Sequence, residues 1–164
     1  MEAALFAISP KELEQLMCQK WQRKDIQHWI EGRTSLYFGT AWCFYHDSLN
    51  RYSAEPIPVL NYVVHGEHIL ESDLNVPEAI LYTSVAKVSA IYQALQHLSI
   101  DELKHRYQKC LDEYNERITE QDELSVGEFR LLYDQLVHFY RVAAITNQVL
   151  VSVFMQHIPP QRLF

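Results

Sequence analysis

Apolar residues recur at helical spacing in three stretches of the chain, and a Ser-x-x-Glu box precedes each stretch. The boxes are Ser9–Glu12, Ser99–Glu102 and Ser125–Glu128. In such a box the serine hydroxyl accepts from the backbone N–H three residues on, and the glutamate reaches back to the serine N–H. The pattern therefore predicts three helices that begin at these serines. The third helix has an inner face of Phe129, Leu132, Tyr133, Leu136, Tyr140, Ala143 and Ala144, and an outer face of Arg130, Asp134, His138 and Arg141.

Short apolar runs at the two ends of the chain are typical of buried strands. They cover Ala3–Ile8 and Gln148–Met155, and a further short run covers Ala79–Tyr82. A strand at each end, with helices between, predicts that the two ends pair in one small sheet. We therefore expect one α+β domain over residues 1–164, with several amphipathic helices covering the sheet.

The middle of the chain is less regular, and its periodicity leaves alternatives open. Val59–Val64 is apolar and β-branched, so its propensity favours a strand, while a short helix fits nearly as well. Leu36–Phe38 fits either a strand or the approach to a helix, and a helix is predicted after Thr40.

In the first helix the spacing predicts an inner stripe of Leu13, Leu16 and Met17.

The chain is acidic, with a formal net charge of −7 over 164 residues. The segment from Asp101 to Glu128 holds nine acidic and four basic residues, so it carries −5 of that charge. This balance argues against nucleic acid as a partner, because phosphate neutralisation requires a basic surface. It is typical of a solvated helical face, and it also suits a docking surface for a basic partner.

The cysteines and the apolar runs bear on the compartment. Cys18, Cys43 and Cys110 stand at wide spacing without a disulfide pattern, which indicates a reducing environment. The first residues lack the basic region and the long apolar region of a signal peptide. No apolar run approaches the ~20 residues that span a bilayer. We therefore expect a cytoplasmic protein that has no membrane partner.

Four blocks of the sequence together resemble one family. The blocks are Ile8–Leu13 after the first strand, the Trp42 helix, Pro58–Glu67 with its continuation through Tyr82 to Leu103, and Phe129–Phe154. In these blocks and in their order, the chain resembles the YfbM-like proteins, a bacterial family of uncharacterised domains. The resemblance implies an α+β fold and no established activity, and it carries over no catalytic residue. The chain departs from the family pattern at Tyr45–Asn50 and at Glu113–Asp122.

Two segments that contain histidine are the strongest candidates for chemistry. His65-Gly66-Glu67-His68 offers metal-ligating side chains, but Gly66 weakens a helix and further ligands are missing, so we favour a turn. His46 stands beside Asp47, yet adjacent helical residues point about 100° apart, so a general base there needs a distant partner. No nucleotide-binding or hydrolase motif accompanies either segment. We therefore predict no catalytic residue, no cofactor and no metal site.

Tyrosines outside the apolar stripes are candidates for a binding face, since tyrosine commonly anchors protein interfaces. We predict that Tyr37, Tyr45 and Tyr52 form a patch beside an acidic helix. The acidic residues of this predicted interface are Glu113, Glu116, Glu120 and Asp122.

These features favour a non-enzymatic cytosolic binding protein whose partner is another protein. The concrete hypothesis is an immunity protein that neutralises a bacterial toxin by binding a basic toxin domain and covering its active site. The alternative is a small-ligand-binding protein or an atypical enzyme, in which His46, Asp47, His65 and His68 converge in one pocket. A homodimer with a structural role is the third hypothesis.

Overall fold

A computed structural model shows a six-stranded sheet with helices packed on both of its faces. It describes residues 1–18, 23–53, 55–72, 79–114, 125–158 and 162–163. In those ranges, none of the helices combines the length and the apolar character that crossing a membrane requires.

Strands from both ends of the chain form the centre of the sheet. The strands are β1 (Glu2–Ile8), β2 (Thr34–Gly39), β3 (His68–Ser72), β4 (Ala79–Thr83), β5 (Val149–Met155) and β6 (Arg162–Leu163), and their order is β3-β4-β5-β1-β2-β6. β1 pairs with β5 antiparallel along its whole length, from Glu2 opposite Met155 to Ile8 opposite Val149. The other pairs are antiparallel, except that β6 runs parallel to β2. The predicted pairing of the two end strands is confirmed, and so is the α+β class.

Seven α-helices connect and cover the strands within the described ranges. They are α1 (Pro10–Met17), α2 (Arg23–Ile30), α3 (Trp42–Asn50), α4 (Tyr62–His65), α5 (Val85–Gln96), α6 (Ile100–Tyr114) and α7 (Val126–Ile145). A 3-10 helix over Pro58–Asn61 leads directly into α4.

The sheet is buried on both faces, which explains the continuous apolar runs of the end strands. Successive residues of a strand point to opposite faces, so in β1 Leu5 faces one core while Phe6 faces the other. The larger core lies between the sheet and α3–α7. The smaller core lies between the sheet and α1–α2. The helices therefore form one layer on each side of the sheet.

The three Ser-x-x-Glu boxes all begin helices, and the box of α7 is complete. There the Ser125 hydroxyl accepts from the backbone N–H three residues on, and the glutamate accepts from the Ser125 N–H. In α1 and α6 the serine accepts in the same way. Their glutamates pair instead with arginines, Glu12 with Arg33 at 2.6 Å and Glu102 with Arg106. The predicted helix starts are thus confirmed.

The structure decides one open alternative, and one local prediction is wrong. Val59–Val64 is the 3-10 helix and α4 rather than the favoured strand, so the alternative short helix is correct. Val63 and Val64 are both completely buried, because this short segment is covered by its neighbours on more than one side. Met17 is 56% exposed although it was expected in the inner stripe of α1. The helix ends at Met17, and in its last turn Leu16 makes the contact with the smaller core.

Candidate functional site

Two histidines from different helices stack against each other beside the sheet. The ring centroids of His46 and His65 are 4.1 Å apart, and their planes differ by 12°. The Trp42 ring lies 5.4 Å from His65, and Phe154 of β5 lies 5.7 Å from His65 and 5.1 Å from Trp42. Both imidazoles are half-buried. We call these four residues, Trp42, His46, His65 and Phe154, the histidine–aromatic cluster.

Local backbone geometry explains how His65 reaches His46. Trp42 and His46 lie one turn apart on α3, so they share a helix face. α4 ends at His65 because Gly66 turns into the left-handed region, at a φ of 72°. A Cβ atom at Gly66 would lie 2.9 Å from the Leu81 Cβ, closer than a real Cβ contact permits. The glycine therefore lets α4 sit against β4 and hold His65 over its partner ring.

The environment of the cluster keeps both imidazoles neutral. Burial lowers the pKa of His46 to about 4, the nearby His65 adds to this effect, and Asp47 opposes it. Burial likewise lowers the pKa of His65. The Asn50 Nδ2 group lies 3.4 Å from His46 Nδ1.

Asp47 does not join the histidines in one pocket. Its Oδ2 accepts from the Tyr114 hydroxyl at 2.9 Å and from Arg51 Nη1 at 3.1 Å. These bonds connect the end of α3 to the end of α6. The hydrogen bond from Tyr114 to Asp47 raises the pKa of the Tyr114 hydroxyl. Asp47 therefore acts on His46 and His65 through its charge rather than through direct contact.

The segment from His65 to His68 is the predicted turn, and it joins α4 to β3. His68 begins β3, where its ring lies 4.9 Å from that of Tyr82 and its Nε2 lies 3.5 Å from the Glu67 carboxylate. Glu67 also accepts from the Ser84 hydroxyl at 2.7 Å. No group of three histidine, cysteine, aspartate or glutamate side chains in the described ranges is placed to hold a metal ion. Of the four proposed pocket residues, the structure thus brings only His46 and His65 into contact.

The three predicted interface tyrosines do not form one patch. Tyr45 is completely buried, and its hydroxyl donates to the Phe129 carbonyl, so its assignment to a binding face is wrong. α3 packs this side chain into the larger core, and burial raises its pKa far above the usual range. Tyr37 faces the smaller core, on the opposite side of the sheet from Tyr52. Burial and the Glu2 carboxylate raise the pKa of Tyr37 to about 12.

Tyr52 and Glu113 do lie together, at the junction of α3 and α6. The Glu113 carboxylate raises the pKa of the Tyr52 hydroxyl to about 12. Arg51 Nη2 lies 3.5 Å from Glu113 Oε2, and the Arg51 guanidinium lies 5.4 Å from the centre of the Tyr52 ring. We call Asp47, Arg51, Tyr52, Glu113 and Tyr114 the Tyr52–Glu113 patch. The other predicted interface residues, Glu116, Glu120 and Asp122, lie outside the described residues.

A groove of about 390 Å³ between α5 and α7 is absent from the sequence-based predictions. Tyr92 and Gln96 line it from α5, and Asp134, His138 and Arg141 line it from α7. The periodicity of α7 places Asp134, His138 and Arg141 on an outer face, but it gives no sign of which helix lies beside them.

These features define a single α+β domain with one layer of helices on each face of its sheet. The chain belongs to the family described as a domain of unknown function, DUF1877, whose model matches residues 1–153. Among solved structures, Escherichia coli YfbM, a protein of unknown function, matches with a TM-score of 0.68 and 22% sequence identity. The match covers 94% of this chain and all of that one. At this identity the structural match by itself shows the fold alone. Taken with the family match over residues 1–153, it confirms the predicted YfbM-like family. A comparison with curated proteins finds no match.

Proposed function

We propose that this protein is a non-enzymatic binding protein of the cytoplasm whose partner is another protein. In its most concrete form it is an immunity protein that neutralises a bacterial toxin by covering the active site of a basic toxin domain. The observation that carries the proposal is the Tyr52–Glu113 patch, where an aromatic ring and a carboxylate meet at the acidic end of α6.

The side chains of this patch are held in place before any partner binds. Tyr52 has a φ of 61°, a left-handed conformation that non-glycine residues adopt rarely and mostly where the surrounding structure imposes it. Two cations lie near its ring, with Arg51 at 5.4 Å and Lys109 at 5.9 Å from the ring centre. Fixed aromatic and arginine side chains are the usual anchors of protein interfaces, because little conformational entropy is lost on binding.

The charge of the patch favours a basic partner. Glu113 is 52% exposed, and its ion pair with Arg51 at 3.5 Å is long, so the carboxylate stays available to an incoming cation. The segment that begins with α6 carries most of the net negative charge of the chain. Such a field speeds association with a basic surface and disfavours acidic partners.

A pull-down with the tagged protein, followed by titration of the recovered partner, tests this proposal. We expect one stoichiometric partner whose binding is weakened by Glu113→Lys and by Tyr52→Ala, and whose association slows as salt rises. Glu31→Lys is the matched control, since Glu31 is similarly exposed and lies beside α2 on the other face of the sheet. A partner that binds Glu113→Lys and Tyr52→Ala as tightly as the wild type would place the interface elsewhere. Light scattering on the purified protein tests the homodimer hypothesis.

A second candidate, a small-ligand-binding protein or an atypical enzyme, is favoured by the histidine–aromatic cluster. Its imidazoles are neutral and half-buried, so a free ring nitrogen can accept a hydrogen bond from a polar ligand. Two parallel rings 4.1 Å apart cannot direct nitrogen lone pairs at one ion, so shared metal ligation would require the stack to open. Titration with Zn²⁺ and with small organic acids, followed through the histidine ring protons by NMR, tests this candidate. Signals of His46 and His65 that do not respond would remove it.

A further inference from the structure

The groove between α5 and α7 has an apolar floor that is fixed by a buried hydrogen bond. The Tyr133 hydroxyl donates to the Leu95 carbonyl at 2.8 Å, which ties the middle of α7 to the last turn of α5. Leu98 and Val137 are half-buried and complete the floor. A volume of about 390 Å³ falls within the range of small-ligand sites.

One end of the groove carries negative charge. Asp134 follows Tyr133 in α7, and Tyr133 is bonded to the C-terminal turn of α5, where the helix dipole is negative. The ion pair of Asp134 with Arg130 spans 3.9 Å, and both side chains are more than half exposed. Such a pair is weak, so the Asp134 carboxylate is available to a ligand.

The other end of the groove carries positive charge. Arg141 lies two turns beyond Asp134, about 10 Å along the helix axis. It is exposed and makes no ion pair or hydrogen bond with the part of the chain that the structure describes. This end therefore offers a cation to an anion.

We propose that the α5–α7 groove binds a short zwitterionic peptide of two or three residues. Its terminal ammonium group lies against Asp134 and the end of α5, and its terminal carboxylate lies against Arg141. Its apolar side chains cover the floor formed by Leu95, Leu98 and Val137. An extended peptide spans about 3.3–3.6 Å per residue, so three residues match the separation of the two charged ends. This proposal is independent of the Tyr52–Glu113 patch.

Calorimetric titration of the purified full chain with the tripeptide Leu-Ala-Leu tests the proposal. We expect saturable binding of one peptide, with amide NMR shifts confined to α5 and α7. Acetylating the peptide N-terminus, or amidating its C-terminus, removes one charge and is expected to weaken binding by at least about tenfold. Asp134→Asn and Arg141→Gln are expected to do the same. Lys11→Gln, an exposed lysine of α1 on the other side of the sheet, is the matched control.

The outcomes separate the proposal from its competitors. Both substituted side chains are exposed, so we expect the variants to fold, and thermal melts check this. No saturable binding at millimolar peptide overturns the proposal. Equal binding of the blocked peptides, or full binding by Asp134→Asn and Arg141→Gln, also overturns it. A site that needs only Arg141 and accepts the acetylated peptide would be a carboxylate site, and the zwitterion proposal would then be wrong. Because these measurements use the protein alone, they do not depend on any protein partner.

Discussion

Lowering the pH is expected to destabilise the protein through the His46 ring. Its pKa is 6.5 in the unfolded chain and about 4 in the folded protein, because burial penalises the charged ring. Above about pH 6.5 the ring is neutral in both states and contributes no pH dependence. As the pH falls from about 6.5 to about 4, the unfolded chain binds the proton first, so the free energy of unfolding decreases.

The size of this effect follows from the difference between the two pKa values. At about 1.4 kcal/mol per pKa unit, the whole difference would correspond to about 3 kcal/mol. The ring is only half-buried, and solvent screening reduces the effect, so we expect a loss of about 1–2 kcal/mol. For a domain of this size, such a loss is a measurable fraction of the total stability.

Urea unfolding of the wild type and of His46→Gln, at a series of pH values between about 7 and 4.5, measures the effect. The substitution also removes the ring stack, so the comparison concerns the slope of stability against pH rather than the absolute stability. We expect the stability of His46→Gln to fall less steeply with decreasing pH than that of the wild type. Part of the pH dependence that remains comes from His65, whose pKa is also lowered by burial. His105→Gln, at an exposed position on α6, controls for the loss of a histidine as such. Equal slopes for the wild type and His46→Gln would refute the reasoning.

Three further predictions concern stability and use urea unfolding at neutral pH. Ser125→Ala removes the hydroxyl that caps α7, and we expect a loss of about 1 kcal/mol; an unchanged midpoint would contradict the role of the box. Gly66→Ala places a Cβ on a residue with left-handed backbone and against Leu81, and we expect a loss of about 2–4 kcal/mol of stability. An unchanged free energy of unfolding would mean that β4 can shift to accommodate the Cβ at little cost. Tyr140→Phe leaves the buried Val63 carbonyl without its 2.8 Å donor, and we expect a loss of about 1–3 kcal/mol; a stable variant would show that another donor replaces the hydroxyl.

The candidate sites were predictable only in part, for reasons that the residues make clear. The sequence singles out His46 and His65 separately, but their contact depends on how α4 sits against β4, which no local pattern specifies. Tyr45 belongs to the helix predicted after Thr40, and its helical spacing there indicates burial. Its place in the irregular middle of the chain indicated exposure, and the structure shows that it is buried. The α5–α7 groove needs two helices to meet, so the spacing within either helix could not reveal it.

Much of the fold follows from the sequence alone. The serine boxes give helix starts because capping involves atoms within four residues, and the apolar end runs give strands because burial on both faces requires it. Tertiary structure decided the rest. It made Val59–Val64 helical despite β-branched residues, and it buried Arg106, which donates to the Leu49 carbonyl and to Glu102. Local order follows from bonds and contacts between near neighbours in the chain. The partners of His65, Tyr45 and Arg106 are set by the packing of distant segments, and a single sequence does not encode that packing in any short pattern.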